Sequence, residues 1–193
     1  MIQLQCFNVW FVFFVTLTLF PTVMADIEYY SKSGKYDFII PGETFIYLCF
    51  IEKFFTSITT YLLFNSCACF GSFLANFINW PKPKWLIAPV LCQAIFIPLM
   101  LFCNFRPHYR TWKIWIYDIR IYIIMAIVMS IGSGFYSAKA MMYAPKLVEV
   151  SKSTVAGMIS AFFLIFGVLC GVSFTLVVSW FINSAGPYQP GKY

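Results

Sequence analysis

Apolar residues along this chain gather into five stretches, near residues 7–24, 54–79, 85–105, 114–143 and 155–182, with short polar breaks between them. The hydrocarbon core of a bilayer is about 30 Å thick and takes roughly 20 apolar residues of α-helix. Each stretch has that length or comes close to it. None alternates apolar with polar positions as an outer-membrane strand would, and backbone groups in lipid must be satisfied within the segment. The expected fold is therefore all-α: a polytopic transmembrane helical bundle of about five spans, forming one transmembrane domain over residues 1–193. Five crossings would leave the two termini on opposite sides.

The breaks explain where the spans should end. Pro21 stops or bends the first helix, because it lacks an N–H and its ring clashes with the preceding turn. Val23-Met24-Ala25 before Asp26 resembles a leader cleavage site, but no Lys or Arg precedes the apolar run, so a first membrane helix is expected. Asp26 to Glu43 reads as an exposed loop, and Thr44 to Ile51, too short to cross, as an interfacial segment. In Trp80-Pro81-Lys82-Pro83-Lys84-Trp85 two prolines forbid helix continuation and two lysines hold the turn at the surface. Gly186 to Tyr193 reads as a disordered tail.

Composition agrees with a lipid setting: 61% hydrophobic residues, 10% charged and a mean hydropathy of +0.80. The net charge of +6 is scattered over Lys82, Lys84, Arg106, Arg110, Lys113 and Lys146 without a basic block. That distribution suits lipid headgroups as partner and not nucleic acid. A five-span topology puts Lys82, Lys84, Lys146 and Lys152 on one side and Arg106, Arg110, Lys113 and Arg120 on the other, so charge bias assigns no orientation. Trp80, Trp85, Trp112, Trp115 and Trp180 fall near span ends, where indoles prefer headgroups.

Polar positions inside the spans are few. Asn65, Ser72, Asn76 and Asn79 share one stripe of the second span with Tyr61 and Ala68, while Cys67, Gly71 and Ala75 form a neighbouring row of small residues. The expectation is that the small row packs against another helix and the polar stripe either bonds to a neighbour or lines a pathway. Further small rows, Ala126-Ser130-Ser137, Gly157-Ala161 and Gly167-Gly171, are expected packing surfaces. Lys139 lies inside the fourth stretch, where an ammonium costs roughly 2.5–3.5 kcal/mol at mid-bilayer. Seven residues before Lys146, it is expected to snorkel toward the interface.

Catalytic chemistry finds no foothold. The single histidine, His108, sits beside Pro107 in a polar loop, and no nucleophile motif or phosphate loop is present. Seven cysteines lie mostly inside apolar runs and read as small packing residues; Cys67 and Cys69 have no His or carboxylate nearby to complete a metal site. Neither an enzyme, a metal nor a cofactor is expected.

From Tyr61 onward the text becomes specific: TYLLFNSCACFGSFLANFINWP, PLMLFCNFRP, GSGFYSAKAMMYAPK and STVAGMISAFFLIFGVLCG, with TLFPTV in the first span. In order and spacing this series resembles the carboxy-terminal half of the equilibrative nucleoside transporters. The resemblance implies an eleven-helix, major-facilitator-like fold, of which this chain looks like helices seven to eleven. It also implies facilitated diffusion of nucleosides, and in some members nucleobases, by alternating access at the plasma membrane and without a cofactor. Asn65 and Gly71 match the family's eighth-helix motif. The Asp and Arg that the family usually places in that motif are replaced here by Ala68 and Ser72. Gly132-Ser133-Gly134 stands where the family shows Ser-Asn-Gly, Lys139 where it is apolar, and Gly42 to Ile51 looks like an insertion.

On this reading Tyr61, Asn65, Ala68 and Ser72 are the candidate substrate-binding positions. The function expected is nucleoside transport, incomplete in five helices and requiring a second half, self-association or another membrane subunit. The rival, favoured by Ala68 and Ser72, is a non-transporting membrane protein that packs with other membrane subunits.

Overall fold

The computed structural model describes residues 1–27, 57–103, 115–116 and 118–184. The expectations for the 28–56 loop and its insertion, the segment around His108, Cys49 and the tail fall outside the described residues. Helix α1 spans Ile2–Leu19 and is followed past Pro21 by the single turn α2, Thr22–Ala25. A wide π-helical stretch, Ser57–Leu62, leads into α3, Leu63–Phe77. Next come α4, Ile87–Cys92, a 3₁₀ turn at Gln93–Ile95, and α5, Phe96–Phe102. The two long helices are α6, Ile119–Lys146, and α7, Ser153–Ser184. No strand occurs among the described residues, and the chain is an all-helical transmembrane bundle.

Three of these segments, Ile2–Ala25, Ile119–Lys146 and Val150–Ile182, are long and apolar enough to cross a membrane, and Ile87–Phe102 is a shorter apolar helix. The shorter one differs from the sequence expectation of one uninterrupted helix over 85–105. Its physical cause is Pro98, whose missing N–H leaves the Ala94 carbonyl without its helical donor, in the 3₁₀ turn that separates α4 from α5. Asn79 also departs from its expected stripe, because α3 ends at Phe77 and Ile78 is extended.

Helix α1 is the centre of the assembly. Its valines Val9, Val12 and Val15, and Leu19, are at most 1% exposed, walled in by α7, α6 and the α4–α5 segment. Helix α6 stands beside it, and α3 lies along the other flank of α6. Helices approach this closely in lipid only where side chains are small, since lipid tails supply no hydrophobic drive for association. Gly167 and Gly171 let α7 lie on α1: a Cβ on either would come within 2.5 Å of Trp10 O or 2.6 Å of Phe14 O. Gly71 packs on the Ile131 carbonyl and Gly134 on that of Ala68, so each helix of the α3–α6 pair supplies a glycine to the crossing. Gly157 has open space around it and Ala161 is exposed, so that small row does not pack among the described residues.

Replacing Gly134 by Val should therefore separate α3 from α6 and lower stability by at least about 1–3 kcal/mol. Gly157→Ala should leave it within about 1 kcal/mol. Denaturant titration of the helical signal in detergent checks both, and equal effects would contradict the crossing.

Candidate functional site

Helix α3 shows two faces. Gly71 and Ala75 are buried against α6 and Cys67 is half-buried, as the row of small residues required. The opposite face is open: Asn65, Ser66, Cys69 and Asn76 are exposed, interleaved with exposed Phe70, Phe73 and Phe77. At the start of the helix Phe20 stacks on Phe64 with centroids 4.1 Å apart, and it meets Tyr61 edge-on at 5.8 Å. That contact ties the end of α1 to the base of the open face.

The four candidate positions divide between these faces. Tyr61 is 46% exposed and Asn65 is exposed, with Asn65 Nδ2 donating to Tyr61 O at 2.7 Å. Both residues thus belong to the open side. Ala68 and Ser72 turn toward α6 instead: the Ala68 carbonyl faces Gly134, and Ser72 Oγ donates to Gly134 O at 3.1 Å. The four candidate positions are thus split, two into a helix contact and two onto the free face.

A second group of polar side chains is buried inside the bundle, and the sequence reading did not single out most of it. Thr16 and Ser133 share a hydrogen bond of 2.7 Å between α1 and α6. Thr18 Oγ1 donates to Phe14 O in its own helix at 2.7 Å and lies 3.3 Å from Gly171 O of α7, while Thr175 Oγ1 shares its proton between Gly171 O of its own helix and Thr18 O of α1, each at 3.2 Å. Gln5 is fully buried, its Nε2 donating to Pro83 O at 2.7 Å, and Asn8 Nδ2 reaches Gln5 Oε1 at 3.4 Å. Asn8 Oδ1 and Gln93 Oε1 are buried without a partner. The polarity of Gln93 in the middle of an apolar run was the available signal. Gln5 and Asn8 were masked by lying near the start of the first stretch.

Lys139 departs from the snorkelling expectation. It is 2% exposed, and its Nζ lies 5.5 Å from the Tyr143 ring centroid, one turn nearer the end of α6. The stem points the expected way, but an aromatic face rather than water receives the ammonium. Cysteines also divide: Cys6 and Cys103 are buried, Cys67 and Cys170 half-buried, and Cys69 and Cys92 exposed.

A bundle of apolar helices joined by glycine contacts and interior hydroxyl bonds defines an integral, multi-pass membrane protein. The profile of the nucleoside transporter family matches residues 2–183, and the chain belongs to that family. It is 29% identical over 178 residues to equilibrative nucleoside transporter 1 of Homo sapiens, covering 91% of this chain and 36% of that protein. Against the same transporter of Rattus norvegicus it is 30% identical over 166 residues, 85% of this chain and 33% of the relative. Equilibrative nucleoside transporter 2 of Rattus norvegicus is 29% identical over 168 residues, 86% and 34%. The chain thus spans about a third of the length of these relatives, matching their carboxy-terminal half.

The Thr16–Ser133 bond can be isolated by a double-mutant cycle. Thr16→Val and Ser133→Ala should show a coupling of about 0.6–1.7 kcal/mol in unfolding from detergent, whereas strict additivity would mean the hydroxyls do not interact.

Proposed function

We propose that this chain forms one helical bundle of a nucleoside transporter acting by facilitated diffusion and alternating access at the plasma membrane, with the open face of α3 lining the solute pathway. The observation that supports it best is the position of α3. This helix packs chiefly on α6 and presents asparagines and phenylalanines on its free side, where a helix facing only lipid would be apolar. Phenylalanine rings suit the flat face of a nucleobase, and Asn65 with the Tyr61 phenol can hydrogen-bond to a polar solute. Alternating access needs two bundles moving about a central site, and the second is supplied by another part of the transporter or another membrane subunit.

Ala68 and Ser72 bear on how well such a site recognises its solute. An alanine and a serine at the α6 contact need no ionic partner, so the bundle packs without the Asp and Arg that the family resemblance places there. Recognition of hydroxyl groups weakens correspondingly, because discrimination between hydroxylated solutes rests on polar groups in the site. This observation also favours a second reading, a divergent relative that packs with other membrane subunits and moves nothing.

The test is uptake of labelled uridine by cells without their own nucleoside transport, expressing this chain together with the amino-terminal part of a relative. Saturable uptake that falls at least tenfold with Asn65→Ala supports the transport reading. Uptake restored only by the pair Ala68→Asp and Ser72→Arg marks a decayed site on a working scaffold. Absence of uptake from every combination, with all proteins present in the membrane, overturns the proposal in favour of the second reading.

A further inference from the structure

Among the described residues, one end of the bundle carries more basic than acidic side chains. Tyr143 Oη donates to Pro81 O at 2.9 Å and Gln5 Nε2 to Pro83 O at 2.7 Å. These bonds fasten the α3–α4 turn to the last turns of α6 and the first turn of α1. Lys82 and Lys84 on the turn and Lys146 at the end of α6 are all exposed there. Lys139 reaches the same place from inside, its Nζ over the ring of Tyr143. Lys152, also at this end, is engaged by Glu149 at 3.5 Å. No described carboxylate reaches Lys82, Lys84, Lys139 or Lys146. Exposed cations on one rim offer an anion several partners at once. On either side of the two turn lysines, Trp80 is 69% and Trp85 70% exposed.

We propose that this end of the bundle docks the headgroup phosphate of an anionic phospholipid, held by Lys82, Lys84 and Lys146 while Trp80 and Trp85 sit at headgroup level beside it. The indoles decide the occupant. Two large apolar rings exposed next to the cations are stable at the boundary of acyl chain and headgroup and not in bulk water. A freely dissolved phosphate would use the lysines and leave the rings uncovered. The two prolines keep the turn from coiling into helix, so both lysines stay on the rim instead of one turning inward. Lys139 adds its charge from below without touching the lipid. Such a site holds an anionic lipid by charge and apolar contact together, and its strength falls with salt.

The experiment uses the full chain reconstituted in phosphatidylcholine vesicles containing a small fraction of acyl-brominated lipid, either phosphatidylserine or phosphatidylcholine, with quenching of tryptophan fluorescence as readout. At low salt the brominated phosphatidylserine should quench more per molecule than the phosphatidylcholine. That excess should fall about fivefold for each lysine neutralised in the series Lys82→Gln, Lys84→Gln and Lys146→Gln. It should also vanish in high salt and in the Trp80→Phe/Trp85→Phe variant, which retains the lysines but removes the local reporters. Equal quenching by the two lipids overturns the proposal, as does an excess that survives the triple lysine change or the double tryptophan change. Binding of radiolabelled inorganic phosphate to the full chain in lipid-free detergent, with an affinity that the triple lysine change abolishes, identifies the site as one for free phosphate and overturns the lipid assignment. The substituted lysines and tryptophans are exposed, and an unchanged helical signal separates loss of binding from loss of fold.

Discussion

Everything in this bundle depends on helices coming close enough for backbone to touch backbone. In water, apolar side chains drive helices together; in lipid they are as well solvated apart as together, and association falls to van der Waals contact and interhelical hydrogen bonds. Those forces act over a few ångströms, so each crossing needs small residues on at least one partner. Gly167 and Gly171 set α7 on α1, and Gly71 with Gly134 set α3 on α6. The second crossing is reciprocal, each helix supplying a glycine to the other's carbonyl. Its register therefore cannot slide by a turn without driving a larger side chain into backbone.

Interior hydroxyls and amides add direction to that contact. Thr16 with Ser133 and Thr18 with Thr175 each join α1 to a neighbour at one level of the bundle. The Gln5 and Tyr143 bonds to Pro83 and Pro81 do the same for the turn that closes α3. Pro81 and Pro83 can serve this way because the turn leaves their carbonyls outside any helical ladder, ready to accept. Lys139 is fitted into the same end, its stem among apolar neighbours and its charge against an aromatic face. An ammonium placed so avoids the full penalty of hydrocarbon while adding a positive potential to the rim above it.

The two faces of α3 follow from the same packing. One face is committed to α6 by glycine, alanine and serine, and that commitment holds the other face in a fixed aspect, with asparagine and phenylalanine outward. Ala68 and Ser72 belong to the committed face, where compactness matters more than charge. A larger ionic pair at these positions would crowd the contact with α6, which alanine and serine leave close-packed. Compactness of the crossing and polarity of the helix are in this sense alternatives at the same two positions.

The fold class was legible in the chain because lipid imposes a length and a polarity on any crossing helix, and runs of apolar residues record both directly. The helix end before Pro21, the tight Trp80–Trp85 turn and the packing role of Gly71 and Ala75 followed from local chemistry in the same way. Other features were decided only by tertiary contact. The break between α4 and α5, the loss of Asn79 from the α3 stripe and the unpacked Gly157-Ala161 row depend on which backbone donors and which neighbouring helices are present. Periodicity places residues on a face of a helix without saying what stands opposite. Thus the pattern grouped Tyr61, Asn65, Ala68 and Ser72, and the approach of α6 divided them. Lys139 shows the same limit: the sequence determined that its charge must leave the apolar interior, and the position of Tyr143 decided that it would end on a ring instead of in water.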